Sequence, residues 1–351
     1  MRVIAWPARR CREENPYTYL LYEGIERLGA QVDEFSVPQL LSHRYDIWHI
    51  HWPEHFLNVR RGWQAALRAW GIPALMDAVH ALGTRIVWTG HNLRAHEGGG
   101  TKLEEMFWRR FIDRLDGFIS LSNCGLELIY YQHPTLRNVP CFVIPHGHYC
   151  GEYPVRYTRA QARQVLGLHG NGPVILFFGT IRPYKNIPKL LRVFREIEDP
   201  AASLLVVGSG NNTNLETSIR GEARRDARVR LLLESIPRAH VQLYFAAADV
   251  TVLPYTAMLN SGAVMLSLSL GCPTYASAQG SLIEIQRMVG DDWLRAYSGD
   301  FDRTVLQDAI EWSRAVRPAQ APLERFGLND ISAKTLAAYY AVTHKKGTVR
   351  R

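Results

Sequence analysis

Ile175-Leu-Phe-Phe-Gly179-Thr-Ile-Arg182-Pro-Tyr-Lys185-Asn186 is an apolar run that stops at a glycine and then sets two cations three residues apart. A run of this kind reads as a buried parallel strand. Gly179 at its end lets backbone come close to a ligand. Arg182 and Lys185 then stand where the charge on a diphosphate needs neutralising. Beyond them, Lys189-Leu-Leu-Arg-Val-Phe-Arg-Glu-Ile197 spaces its apolar residues for a helix. The cations therefore occupy a strand-to-helix loop, and ligands of open α/β sheets bind at that edge.

Strand and helix signals alternate along the rest of the chain, the pattern of parallel α/β layers. Upstream, strands are predicted at Val3–Trp6, Ile47–Ile50, Arg85–Thr89, Gly117–Leu121 and Cys141–Ile144, with a helix at Tyr17–Leu28 entered through Asn15-Pro16. Downstream they fall at Val174–Phe178, Ser203–Val207, Val229–Leu233, Val250–Leu253 and Pro273–Ala276. With 351 residues, more than one core usually serves, this predicts two Rossmann-like domains facing across a cleft. Residues 1–152 form the first and 153–325 the second, joined near Gly151–Arg163, where Pro154 and polar residues interrupt the periodicity ahead of a helix at Arg159–Leu166. Residues 326–351 supply a helix over Ile331–Val342 that returns to the first domain, and a basic tail expected to fray.

No run of about 18 apolar residues is present, and Met1-Arg2 leads directly into a strand without a signal-peptide core. The expectation is a cytosolic protein, or one peripheral to the inner face of a membrane. Five scattered cysteines without C-x-x-C spacing argue against a disulfide framework or a structural zinc. A net charge of +8 and a pI near 9.3 call for an anionic partner: nucleic acid, anionic lipid or a phosphorylated substrate. The basic residues are spread over both halves without an RNA- or DNA-binding pattern, so no nucleic acid is expected.

Three loops of the second half are expected to converge: Gly179-Thr180-Ile-Arg182-Pro-Tyr-Lys185, Gly208-Ser209-Gly210, and Pro254-Tyr255 through Asn260-Ser261-Gly262 ahead of a helix. A helix N-terminus with exposed N–H groups is itself an anion site. Taken alone, Gly208-Ser-Gly210 reads as a turn. The cation pair is more telling because it follows a buried strand directly.

These segments, together with Ala247-Ala-Asp-Val-Thr-Val-Leu-Pro-Tyr255 and Leu270-Gly-Cys-Pro-Thr274, resemble the donor half of GT-B glycosyltransferases, and the resemblance covers nearly the whole chain. Asp46-Ile-Trp-His-Ile-His-Trp-Pro53 and Trp88-Thr-Gly-His91-Asn-Leu-Arg-Ala-His96-Glu97 are similar to the acceptor half of bacterial polysaccharide-assembly members. The opening Ala5-Trp-Pro7 and Asn15-Pro-Tyr-Thr-Tyr-Leu-Leu-Tyr22 resemble xanthan-type mannosyltransferases. The resemblance implies a nucleotide-sugar donor, which the xanthan-type likeness makes GDP-mannose, and a lipid-linked oligosaccharide acceptor. It makes Gly179, Thr180, Arg182 and Lys185 the diphosphate site, with Gly208, Ser209 and Tyr255 beside it. Asn260, Ser261 and Gly262 would meet phosphate or sugar, Ile236 in Glu234-Ser-Ile-Pro would line the base, and Glu284 would reach the ribose. Many retaining members carry two glutamates flanking the glycine of the third loop. Here Leu259 and Ser267 stand in those places, which leaves the sugar and ribose contacts and the stereochemistry open.

In the first half His49, His51, Glu54, His91, His96 and Glu97 fall at the ends of two predicted strands. Histidine and carboxylate bind metals, but this spacing matches no metal motif, so none is expected. His49 reads as a structural histidine. His91 and Glu97, with Glu54 behind them, are candidates for the base that takes the acceptor's proton. Finally, Asn58–Trp70 and Met106–Arg114 mix aromatics and arginines at helical spacing, which suits two helices lying on an anionic membrane. The bland reading is a core helix in each case. The overall expectation is a metal-independent hexosyltransferase of exopolysaccharide synthesis. A nucleotide-sugar epimerase of the same architecture, or a non-enzymatic basic module binding RNA or membrane, is the alternative.

Overall fold

A computed structural model describes residues 1–59, 61–92, 101–168 and 170–344. The chain divides into two compact units, Met1–Gly147 with the segment from Phe326 onward, and His148–Arg325. The division comes earlier than residue 152 because the backbone just past it is tied to the second unit. The Tyr149 N–H donates to Ser269 Oγ (2.8 Å), and Arg238 pairs with Glu152 at 2.5 Å.

The first unit is built on β1 (Arg2–Trp6), α1 (Tyr17–Arg27), β2 (Gln31–Glu34), α2 (Val37–Ser42), β3 (Ile47–Ile50), α3 (Gly62–Ala81), β4 (Arg85–Gly90), α4 (Lys102–Ile112), β5 (Gly117–Ser120), α5 (Asn123–Gln132) and β6 (Cys141–Val143). Its parallel sheet runs β2-β1-β3-β4-β5-β6, so the strand order reverses between β1 and β3. Asn15 helps to start α1, its side chain accepting from the Tyr17 N–H (3.1 Å). Trp48, Trp88, Phe107, Phe111 and Phe118 fill the core.

The second unit continues with α6 (Arg159–Val165), β7 (Val174–Phe178), α7 (Ile187–Arg195), β8 (Ser203–Val207), α8 (Thr213–Ala223), β9 (Val229–Leu232), α9 (Arg238–Ala247), β10 (Val250–Leu253), α10 (Gly262–Ser269), β11 (Thr274–Ser277), α11 (Leu282–Val289), β12 (Leu294–Tyr297) and α12 (Arg303–Ser313). Its parallel sheet runs β12-β11-β10-β7-β8-β9, the doubly wound order with a switch point between β7 and β10. The last helix, α13 (Leu328–His344), belongs to the first unit. There it crosses α1 at Gly24, where an added Cβ would lie 2.1 Å from Ser332 Oγ.

One strand in each half escaped the sequence reading, β2 and β12. Both are edge strands: β2 is Gln-Val-Asp-Glu with only Val32 buried, and β12 alternates Leu-Arg-Ala-Tyr. Strands covered on one side lack the continuous apolar run that marks β7.

The expectation for Met106–Arg114 is corrected. This segment forms α4, whose Trp108 is 5 % exposed and whose Phe107 and Phe111 are fully buried, so its aromatics are core. Asn58–Trp70 behaves otherwise, although Arg60 lies outside the described residues. On α3, Trp63, Leu67 and Trp70 are 61 %, 65 % and 54 % exposed and share one face. The Arg110 guanidinium lies 3.7 Å over the Trp70 ring.

Candidate functional site

Two groups of polar residues gather at carboxyl ends of strands, one in each unit. In the second unit they collect at the switch point. The β7 loop carries Gly179 (φ 134°), exposed Thr180 and half-buried Arg182. The Gly208-Ser-Gly loop follows β8, and its glycines are more than turn makers. A Cβ on Gly208 would lie 2.0 Å from the Gly179 carbonyl oxygen, and one on Gly210 would lie 2.9 Å from Ile181 Cβ. Half-buried Ser209 accepts from the Ile181 N–H through its backbone carbonyl (2.7 Å). The two loops therefore lie against one another.

Lys185 is the unusual residue. It is 8 % exposed, and its Nζ has neither a hydrogen-bond partner nor a carboxylate among the described residues. Its amine instead lies 5.5 Å from the Tyr255 ring centre and 6.0 Å from that of Phe177. Burial, with the nearby Arg182 charge second, pulls the ammonium down to about 7. The Tyr255 hydroxyl beside it is buried and also lacks a partner among the described residues. Arg182 donates to Asn211 Oδ1 at 3.3 Å. A buried amine without a carboxylate opposite it among the described residues, next to a hydroxyl without a partner among them, has the chemistry to receive an anion.

The third loop closes over this place. Ser261 caps α10 by accepting from the Val264 N–H (3.3 Å), with Gly262 as first helical residue and half-buried Asn260 before it. Thr256 donates its N–H to the Tyr184 carbonyl (2.8 Å), and Ser281 donates to that of Leu259 (3.0 Å). Gly280, which the sequence did not single out, has φ 53° and would set a Cβ 2.3 Å from the Leu259 carbonyl oxygen. Glu284 lies in the first turn of α11 at the same edge. Ile236 lies after β9, two strands from β7. Leu259 is buried, and Ser267 donates to the Cys272 carbonyl (2.8 Å) from full burial, so neither place holds a carboxylate.

In the first unit His49 and His51 face the same side of β3, ring centres 4.2 Å apart. His91 follows β4 and stacks on Trp52 at 4.5 Å, with its Nε2 3.0 Å from His51 Nδ1. His49 is satisfied by Tyr22, Tyr339 and Thr89 at 2.9, 2.6 and 2.7 Å. Burial pushes His49 down to about 3 and His146 to about 4, and holds His51 and His91 well below the usual range. Glu54, 9 % exposed, is pushed up by burial to about 7 while accepting from Asn92 Nδ2 (2.9 Å). A carboxyl poised near neutrality is matched to proton transfer, whereas the burial that keeps His91 neutral also lowers its basicity. His96 and Glu97 lie outside the described residues. Tyr17, Tyr22, His146 and Tyr339 gave no local signal, since Tyr339 joins His49 across 290 positions.

Two Rossmann-type parallel sheets, the second with Arg182 and Lys185 at its switch point, are those of a GT-B architecture. The model of the family "Glycosyl transferases group 1" matches residues 172–310. A curated relative, the GDP-mannose:glycolipid 4-beta-D-mannosyltransferase of Xanthomonas campestris pv. campestris, is 32 % identical over 88 % of this chain and 82 % of its own. Among solved structures, a sucrose-phosphate synthase from Thermosynechococcus elongatus is similar in fold, with a TM-score of 0.70 at 18 % identity over 97 % of this chain and 98 % of its own. Anabaena HepE in complex with UDP-glucose gives 0.69 at 14 % identity over 96 % and 99 %. The chain belongs to the glycosyltransferase family that contains the xanthomonad mannosyltransferase, and it is a hexosyltransferase. The epimerase and the non-enzymatic module are set aside by that membership.

Proposed function

We propose that this enzyme moves mannose from GDP-mannose to a lipid-linked oligosaccharide in exopolysaccharide assembly, with inversion and without a metal. The observation that carries the donor half is Lys185, a buried amine without a carboxylate opposite it among the described residues, at the switch point beside Arg182. A diphosphate supplies the missing counter-charge, and the two cations offset the charge that develops on it as it leaves. The choice of GDP-mannose and of a glycolipid rests on the xanthomonad relative's name. That name specifies a β-linked mannose, and an α-linked sugar nucleotide gives a β product by a single inverting displacement. Leu259 and Ser267 in place of two glutamates agree with such a path.

His91 takes the acceptor hydroxyl's proton as that oxygen attacks, since burial keeps its imidazole neutral. A second reading places the base at Glu54, which burial tunes to about 7 and Asn92 orients. Thermal-shift measurement against GDP, UDP, dTDP and their sugars tests the donor. A ligand at a hundred times its Kd stabilises by about 2.7 kcal/mol, and this should appear with GDP and GDP-mannose and vanish in Arg182→Ala/Lys185→Ala. A shift with UDP or dTDP alone would replace the donor, and turnover abolished by a chelator and restored by a divalent ion would replace the metal-free reading.

Membrane contact rests on α3 alone. Trp63, Leu67 and Trp70 offer aromatic and aliphatic area, with Arg61, Arg68 and Arg110 nearby in sequence or space for anionic headgroups. No described helix is long and apolar enough to cross a membrane. Flotation with anionic vesicles at low salt should capture the protein and lose it in Trp63→Ser/Leu67→Ser/Trp70→Ser with circular dichroism unchanged. A folded wild type that never floats removes this contact.

A further inference from the structure

The peptide unit between Tyr255 and Thr256 is bonded on both of its edges. Its carbonyl oxygen accepts from Ser277 Oγ (2.8 Å) and from Gln279 Nε2 (3.2 Å), which occupies both lone pairs. Its N–H donates to the Tyr184 carbonyl (2.8 Å), and the Thr256 hydroxyl donates to the same oxygen (3.2 Å). A peptide unit is planar, so bonds on opposite edges fix its orientation. This single unit thus joins the loops that follow β7, β10 and β11. Strand register brings them together: β10 and β11 pair in parallel with Leu253 beside Ala276, so Ser277 comes level with the start of the β10 loop.

The β11 loop also grips the far end of the same loop. Ser281 donates its N–H to the Leu259 carbonyl (3.0 Å), and a Cβ on Gly280 would lie 2.4 Å from the Met258 carbonyl oxygen. Ser277 is 5 % exposed, so water does not readily replace its hydroxyl. What the fixed peptide orients is the Tyr255 side chain. Its ring is 4 % exposed, with the Tyr184 and Phe177 rings 5.6 and 6.4 Å away, and it lies 5.5 Å from the Lys185 amine. Arg182 is the charged group that acts on that amine, and Tyr184 and Tyr255 are the titratable rings of the group, both pushed up by burial and therefore neutral. A Tyr255 ring released from this place would let water reach the amine.

Resting on the reading of Lys185 as a ligand of the donor diphosphate, we propose that Ser277 and Gln279 are positioning residues of the donor site. Acting through the Tyr255–Thr256 peptide, they hold the Tyr255 ring over the Lys185 amine and keep that amine out of water until a phosphate reaches it. They need touch no atom of the donor to do so. A serine at a strand end and a glutamine two residues on carry no local pattern that marks this role, because their shared partner lies 22 and 24 positions away.

NMR titration of full-length protein labelled with 13C at the lysine ε carbon reads the amine directly, the Lys185 signal being assigned by its loss in Lys185→Met. Calorimetry with GDP at pH 6, where the amine is charged with or without the two side chains, reads the site. In the wild type Lys185 should titrate near pH 7. In Ser277→Ala/Gln279→Met the titration should move up by about one pH unit or more, and the Kd for GDP should rise about tenfold. If the double variant does not fold, Ser277→Ala and Gln279→Met singly, each keeping one of the two bonds, carry the test with the same signs. Folded variants in which Lys185 still titrates near pH 7 overturn the proposal, whether GDP binding holds or falls, since a fall would then come from general damage to the fold. A titration that moves while GDP binding holds overturns the proposal if Lys185→Met has lost GDP. It overturns instead the donor reading beneath the proposal if Lys185→Met still binds.

Discussion

Lys185 and Glu54 both carry a charge state set by burial, in opposite senses. The Lys185 amine is lowered to about 7 from 10.5, so the folded chain holds this proton less tightly than the unfolded one. Its contribution to stability is present above 10.5 and is lost as pH falls toward 7. On the proposed donor site a bound diphosphate should restore the ammonium, so above pH 7 GDP binding should take up a proton and weaken by up to about tenfold per pH unit. Calorimetry at pH 8 in buffers of different ionisation enthalpy should report that uptake, and it should disappear in Lys185→Met. A wild-type affinity flat from pH 7 to 9 would remove Lys185 from the phosphates. Glu54 is raised from 4.5 to about 7, so its protonated form is favoured on folding, and stability is lost as pH rises between those values. Glu54→Gln should therefore gain on the wild type by about 3 kcal/mol at pH 8 relative to pH 4.5, an order-of-magnitude figure from about 1.4 kcal/mol per pKa unit. Urea unfolding at both pH values checks this, and an equal difference at the two contradicts it. The cation pair was legible from its position after an apolar run. The burial that sets both pKa values was not, because it comes from side chains distant in sequence.

At the scale of elements, loops pressed against loops build the proposed donor site of the second unit. Gly208 shows this most sharply, since φ 144° and a Cβ 2.0 Å from the Gly179 carbonyl oxygen both forbid a side chain. Gly208→Ala should cost about 2 kcal/mol or more and weaken GDP binding along with stability. Gly221 in α8 has open space around its Cβ position, so Gly221→Ala should instead gain about 0.5–1 kcal/mol. Paired guanidinium titrations decide it, and equal effects at the two sites would contradict the close approach. The same contrast explains what could be read beforehand. β7, a continuous apolar run in mid-sheet, was legible, whereas β2 (Gln-Val-Asp-Glu) and β12 (Leu-Arg-Ala-Tyr) carry no such run and were not. α4 and α3 share an arginine-aromatic pattern, yet α4 turns its aromatics to the core while α3 leaves Trp63 and Trp70 outside.

At the scale of the whole chain, its last described helix completes its first unit. Ile331, Tyr339 and Val342 of α13 are buried against that unit, each worth about 1.5–3 kcal/mol, and Ser332 donates to the Leu21 carbonyl at 3.1 Å. Ending the chain at Gly327 should therefore unfold or aggregate the first unit. Gly24→Val, which drives a side chain into Ser332, should lower the denaturation midpoint through an overpacking cost of about 1–3 kcal/mol. Limited proteolysis and denaturant titration report both, and a truncated chain with native mobility and an unchanged midpoint would show that α13 is dispensable.

The sequence by itself determined the alternation of strands and helices, the two-unit α/β class and the loop carrying Arg182 and Lys185, because strand periodicity and a glycine-cation loop are local patterns. Only the tertiary structure decided that Lys185 is buried without a carboxylate among the described residues, and that Gly208 touches Gly179. It alone also decided that Trp108 is core and that His91, His51, Tyr22, His49 and Tyr339 form one chain. Those facts depend on burial and on contacts between residues far apart in sequence, which no window along the chain contains.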